Sequence, residues 1–190
     1  MASYFTRNQT SFSFVRCPPG YYCTGGSMEP VPRGSFAPSW DHTNFTLCPA
    51  GTYQDQRGQR ECLPCPVGYI CSSEGVSEPK MCPAGSVCDS AGLVVPYKLC
   101  PPGYYCLSGI KTYLPDADIS EKPVICPQGV YCREGTRSIF TILDDFTTPQ
   151  PCFEGYVCES GSFDPHGSYP CPEGSFCERV DLDSGLMATE

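Results

Sequence analysis

Apolar residues along this chain come in short clusters, each set just behind a turn and separated from the next by polar linkers. Seven segments read C-x5-C, and the sixth position of each is apolar: Tyr22, Ile70, Val87, Tyr105, Tyr131, Val157 and Phe176. The fifth position varies from Tyr to Ser. Alternate residues of an extended segment point to opposite faces, so this pattern predicts a very short strand with the sixth position turned inward. Linkers such as 72–81 and 160–170 are polar and turn-rich. Outside the repeats, Phe12 and Phe14 alternate within residues 1–16 and predict a strand. Residues 138–143 (Ser-Ile-Phe-Thr-Ile-Leu) are the most β-prone and apolar stretch of the chain. The predicted fold class is small and disulfide-rich, an elongated tandem array of short β-hairpin and loop modules with almost no helix.

The turn is written in the first half of each motif. The segments are Cys17–Cys23, Cys65–Cys71, Cys82–Cys88, Cys100–Cys106, Cys126–Cys132, Cys152–Cys158 and Cys171–Cys177. The second position is Pro in all but one, where Phe153 stands, and the fourth is always Gly. Pro presets φ for turn position i+1 and Gly suits i+3, so C-P-x-G reads as a reversal of the chain. The remaining cysteines, Cys48 and Cys62, frame the longer loop CPAGTYQDQRGQREC, which opens on the same motif without its second Cys. Two pairing schemes are open. One closes each C-x5-C on itself and joins Cys48 to Cys62, since a turn brings the end Cα atoms to the roughly 5.5–6 Å a disulfide needs. The other joins the second Cys of one motif to the first of the next. Most steps between first cysteines are 17–19 residues and two are 26. Units this small hold no core of their own and must stack on their neighbours.

Composition agrees. Val, Ile, Leu and Phe make up just under a fifth of the 190 residues, too little for an ordinary hydrophobic core. With 19 Gly and 21 Pro, long helices are excluded. Sixteen Cys against two His mark a disulfide scaffold rather than a conventional enzyme. The net charge of −9 repels phosphates, so nucleic acid is not an expected partner.

Two features place the chain outside the cell. The even, dense cysteine count stays paired only in an oxidising compartment. The chain's two asparagines, Asn8 and Asn44, both sit in acceptor triplets for N-glycosylation, Asn8-Gln9-Thr10 and Asn44-Phe45-Thr46. Ser and Thr beside Pro, as in Thr147-Thr148-Pro149, suit O-glycosylation. Residues 1–16 contain no signal-peptide core, and no apolar run approaches the length of a membrane span. The expectation is a mature or internal piece of a longer secreted or surface polypeptide.

At these motifs the sequence resembles the ephrin-receptor-like and growth-factor-receptor cysteine-rich repeats of extracellular proteins, with its best agreement at CPAGTYQDQRGQRECLPCPVGYIC, residues 48–71. Tandem C-P-x-G-x-x-C arrays are also similar to those of large surface proteins of unicellular eukaryotes, including flagellar-hair (mastigoneme-type) proteins. The resemblance implies a structural or adhesive role and brings no catalytic residues. The expected organisation is a cysteine-free arm (1–16), a first cysteine-rich module (17–47) and the ephrin-receptor-like module (48–71). Further cysteine-rich modules (72–132), a cysteine-free apolar insert (133–151), more modules (152–177) and an acidic tail (178–190) complete it.

Other chemistries find little support. Cys62-Leu63-Pro64-Cys65 has redox-pair spacing but lacks the helix N-terminus that lowers a nucleophile's pKa. His42 and His166 stand apart from any paired C-x2-C set, so no zinc site is expected. Asp116 and Asp118, Asp144 and Asp145, and Asp181 and Asp183 lack the alternating ligands and Gly of a calcium loop. No cofactor is expected. The sequence predicts a self-associating structural subunit, with Phe12, Phe14, Ile139, Phe140, Ile142 and Leu143 joining copies, and a receptor, adhesin or transporter stalk as the alternative.

Overall fold

The computed structural model describes residues 3–8, 11–138 and 147–177, with side chains from residue 14 onward. Among these residues there is no helix, and the strands form nine two-stranded sheets. The chain divides into two compact units: Met1–Lys80 with Ser90–Val95, and Met81–Asp89 with Pro96–Glu190.

Each motif folds through the same turn, one residue later than the sequence pattern predicts. The N–H of the fifth residue donates to the carbonyl of the second, as in Tyr21 to Pro18 (3.2 Å), Thr52 to Pro49 (3.0 Å) and Tyr104 to Pro101 (3.2 Å). The glycine is therefore residue i+2, and its φ is +83° at Gly20, +85° at Gly51 and +81° at Gly103. A positive φ at that position defines a type II turn and calls for glycine. The Pro is residue i and supplies only a carbonyl. Phe153 does the same, with the Tyr156 N–H donating to it at 3.1 Å, so the exception in the pattern costs the turn nothing.

A second glycine completes the repeat. It lies three or four residues after the motif and includes Gly58, Gly75 and Gly92 in the first unit, and Gly109, Gly135 and Gly161 in the second. These glycines also have positive φ, from +72° at Gly75 to +87° at Gly161. Four main-chain bonds then join one repeat to the next. Between the repeats at Cys100 and Cys126, the Gly103 N–H donates to Cys132 O (2.8 Å) and the Cys126 N–H to Gly103 O (2.9 Å). The Cys106 N–H donates to Thr136 O (2.9 Å) and the Gly135 N–H to Cys100 O (2.9 Å).

The same four relations recur in the first unit and reveal a repeat that carries no cysteine at all. The Gly20 N–H donates to Ala37 O (2.8 Å), Val31 N–H to Gly20 O (3.0 Å), Cys23 N–H to His42 O (2.9 Å) and Asp41 N–H to Cys17 O (2.8 Å). Val31-Pro32-Arg33-Gly34-Ser35-Phe36-Ala37 is thus a full motif with Val and Ala at the cysteine positions, and both are fully buried. Asp41 takes the place of the second glycine and is the only non-glycine with positive φ (+64°) among the described residues.

Glycine is demanded by space as well as by φ. A Cβ on Gly103 would stand 2.4 Å from the carbonyl oxygen of Gly161, two repeats on, and one on Gly85 would stand 2.5 Å from that of Gly135. In the first unit, Gly20 meets Gly58 and Gly34 meets Gly75 in the same way, at 2.2 and 2.1 Å.

All sixteen cysteines are paired in the structure, each C-x5-C with itself and Cys48 with Cys62, at Cα separations of 5.6–6.1 Å. The cystines are themselves the core: most cysteines are fully buried, with small groups such as Val87, Cys100, Cys106 and Ile110 around them. The sixth motif positions follow the predicted inward orientation only in part. Val87 and Tyr131 are buried, Tyr22, Ile70, Tyr105 and Val157 are half-buried, and Phe176 is 90 % exposed. The interior between repeats is already filled by cystine sulfur, so a bulky ring is covered only as far as the following repeat overlies it. At the amino end, Ser3–Asn8 (β1) pairs antiparallel with Ser11–Arg16 (β2), and β1 lies beside Tyr21–Thr24 (β3) and Ser27–Pro30 (β4).

Two substitutions test this account. Gly103→Ala should lower the unfolding free energy by about 3 kcal/mol, while Gly174→Ala, with nothing within 4 Å, should cost only the backbone term of about 1 kcal/mol. Equal losses in denaturant titrations would refute the inter-repeat contact. The double change Val31→Cys/Ala37→Cys should form a ninth disulfide, visible as no gain in free thiol by mass spectrometry, and stabilise by up to about 2.4 kcal/mol.

Candidate interaction surfaces

Short turns and two-residue strands enclose little space. A depression in the first unit is open to solvent and lined by Phe36, Phe45, Thr46, Leu47, Pro49 and Glu74. Tyr22 packs edge-on against Phe45 at 5.4 Å. In the second unit the residue before the first cysteine is repeatedly apolar and half in solvent: Met81, Leu99 and Ile125. Leu99 sits over Gly135 and Ile125 over Gly161, so each covers the second glycine of the next repeat.

The charged groups act as loop staples. Arg16 donates from Nε (3.1 Å) and from a terminal nitrogen (2.7 Å) to the Asp41 carboxylate, and its guanidinium lies 5.5 Å from the Trp40 ring. These hydrogen bonds hold Asp41 below the usual carboxylate range and raise Arg16. The bidentate grip fixes the loop in which Asp41 replaces glycine at positive φ. Asp89 accepts from Lys98 and from the Tyr97 hydroxyl. Burial alone would raise the Asp89 pKa, and those two bonds outweigh it and lower it. The Lys111 ammonium donates to Glu121 (2.7 Å), which also accepts from the Ser120 hydroxyl (2.8 Å). With the Lys111 bond first, these hold the Glu121 carboxyl down at about 2.

The histidines belong to loops. His42 Nε2 lies 3.0 Å from Ser39 Oγ, and its carbonyl receives the Cys23 N–H. His166 packs edge-on to Phe153 (5.4 Å) and Tyr156 (4.9 Å). Among the described residues no group of three or more His, Cys, Asp or Glu is arranged to hold a metal ion.

The residues singled out from sequence are scattered. Asn8 ends β1, and Asn44 is exposed in the loop before Thr46–Leu47, its Oδ1 accepting from the Phe45 N–H (2.8 Å). Phe12 and Phe14 both lie on β2, and Phe14 is 75 % exposed. Ile139, Phe140, Ile142 and Leu143 lie outside the described residues. The cysteine-free motif and the second glycines escaped the sequence pattern. The signal of the cysteine-free motif was present: VPRGSFA keeps P-x-G and the apolar sixth position, 17 residues ahead of Cys48.

This geometry defines a tandem array of small cystine-cored modules. Residues 34–82 match the family described as tyrosine-protein kinase ephrin type A/B receptor-like. The match runs from the glycine of the cysteine-free motif, through the Cys48–Cys62 loop, to Cys82. A comparison with curated proteins found no match. Eight disulfides and this module point to an extracellular or surface location. No helix among the described residues is long and apolar enough to cross a membrane.

The Lys111–Glu121 pair gives a pH test. Its carboxyl pKa is lowered on folding, so the stabilisation is present above the unfolded value near 4.5 and fades as pH falls towards 2. Carboxyl carbon shifts should give Glu121 a midpoint of about 2, and Lys111→Gln should return it towards the ordinary glutamate range. An ordinary midpoint in the unaltered chain would refute the staple.

Proposed function

We propose that this chain is a structural subunit of an extracellular glycoprotein filament or cell-surface coat. The observation that supports this reading best is the repeat ladder itself: within each unit successive repeats are held together by main-chain bonds, and the interior among the described residues is filled by cystines. A scaffold of this kind stays folded without cofactor or substrate and resists extracellular conditions. In this reading copies of the chain associate through the cysteine-free segments, β1–β2 with its exposed Phe14 and the apolar residues 139–143. Glycans on Asn8 and Asn44 keep the acidic surface hydrated.

The family match favours a second reading, since its description is that of a receptor: a cysteine-rich stalk in the ectodomain of a membrane receptor, adhesin or transporter. The two differ in what purified material does. Negative-stain microscopy with sizing under non-reducing conditions should show regular filaments that collapse on reduction. Changing Ile139, Ile142 and Leu143 together to Ser should abolish them. Monodisperse single molecules at every concentration would refute the filament and leave the stalk.

A further inference from the structure

One apolar surface of the first unit lies directly beside a modification signal. The depression lined by Phe36, Phe45, Thr46, Leu47, Pro49 and Glu74 includes the three residues that follow Asn44 in the chain. Thr46 pairs with Phe36 and Leu47 with Ser35 across two-residue strands. Phe45 is held edge-on by Tyr22 at 5.4 Å, and the Tyr22 hydroxyl donates to Glu29 (3.2 Å). Leu47 covers Gly75 yet remains 47 % exposed. The lining is thus set in place by its own neighbours, and the surface it forms is open to water.

Asn44 stands at the rim. Its side chain is exposed, and its Oδ1 accepts from the Phe45 N–H at 2.8 Å, which leaves Nδ2 as the free end of the carboxamide. That nitrogen, the atom to which an N-glycan attaches, has no hydrogen-bond partner among the described residues. Thr46, the third residue of the acceptor triplet, is exposed as well. Glu74 is the charged member of the lining; it is exposed and has no ion-pair partner among the described residues.

We infer that this depression seats the first sugars of a glycan carried on Asn44. The inference rests on the proposed glycosylation of Asn44 and deepens it: the glycan is a packed part of the module as well as a source of hydration. The chemistry of the lining matches such an occupant. The C–H face of a pyranose is apolar, and the negative face of an aromatic ring attracts its weakly positive hydrogens. An N-acetylated sugar also brings a methyl group for the aliphatic lining, with an N–H and hydroxyls to donate to the Glu74 carboxylate. An anionic sugar would be repelled there, so the occupant is a neutral N-acetylhexosamine. Attachment through Asn44 keeps it at high local concentration, so weak contacts suffice to hold it.

The test uses the full chain with Asn8→Gln, which leaves Asn44 as its one acceptor asparagine, made in a glycosylating secretory host and in a host that adds no N-glycans. Glycopeptide mass spectrometry reads whether Asn44 carries sugar. In the glycosylated form, NMR should show contacts from the acetamido methyls of the first two sugars to the Phe36 or Phe45 ring, with those methyls shifted upfield. The glycan should raise the folded-to-unfolded ratio about tenfold in denaturant titrations, the effect of keeping roughly 60 Å² of apolar surface from water. In Phe45→Ala that gain should fall to about twofold or less; comparing both glycoforms of the variant cancels its own effect on the fold. Glu74→Ala alters an exposed, unpaired side chain, folds normally, and should cut the gain about threefold through one lost hydrogen bond. Ring contacts together with a gain lost in Phe45→Ala support the seat. An occupied Asn44 without ring contacts, or a gain undiminished in both variants, would overturn the seat and leave the glycosylation standing. An unoccupied Asn44 would overturn both. Broadening of the Phe36, Phe45 and Leu47 signals that grows with the concentration of the glycosylated chain would assign the surface to a second copy and equally overturn the inference.

Discussion

The fold depends on glycine meeting glycine across repeats. At Gly103 and Gly161, and at Gly34 and Gly75, main chain approaches main chain so closely that no Cβ fits. Within each unit main-chain hydrogen bonds join successive repeats, four of them between the repeats at Cys100 and Cys126, and those bonds hold modules with almost no apolar interior. The type II turn is the device that delivers the first glycine to the contact with its N–H and carbonyl both usable. Cystines then fill most of the remaining space between turns.

This ordering of causes explains what the sequence revealed and what it concealed. The C-x5-C spacing, the invariant fourth-position glycine and the scarcity of aliphatic residues were enough to predict short hairpins, the absence of long helices and a tandem array. Those features act locally, within seven residues, where pattern and structure are nearly the same thing. The phase of the turn was misread by one residue because Pro is favoured at i+1 in general, whereas here its carbonyl is what the turn uses. The second glycine was invisible because its role is long-range: Gly135 and Gly161 are single residues in polar loops until the repeats are stacked. Sixth-position burial was overpredicted for the same reason, since Val87 and Phe176 differ in whether another repeat overlies them and not in their own turn.

Candidate function was legible only as a class. Eight disulfides and the ephrin-receptor-like match at residues 34–82 point to an extracellular cysteine-rich scaffold, and the charged pairs Arg16–Asp41 and Lys111–Glu121 tie loops. In such a scaffold the main chain and the cystines carry the structure, so outward side chains are released from it. Leu99, Ile125, Phe14 and Trp40 all stand partly in solvent, where the ladder itself makes little demand on their chemistry.

The cysteine-free repeat shows which element defines the module. Val31 and Ala37 occupy the cystine positions, fully buried, and the main-chain bonds of the ladder are kept on both sides of them. Gln54 does the same in the next repeat: it stands where a second cysteine belongs, its Nε2 donating to Glu61 O (2.8 Å) and its Oε1 accepting from the Gln56 N–H (3.2 Å), while Cys48 turns instead to Cys62. Two substitutions of different chemistry leave the geometry unchanged, so the cystine does not specify it. Its contribution is to restrict the unfolded chain, a term of about 2–3 kcal/mol for loops this short, summed over eight loops that could not otherwise offset their own entropy. Glycine and the turn write the shape, and disulfides make it the stable state.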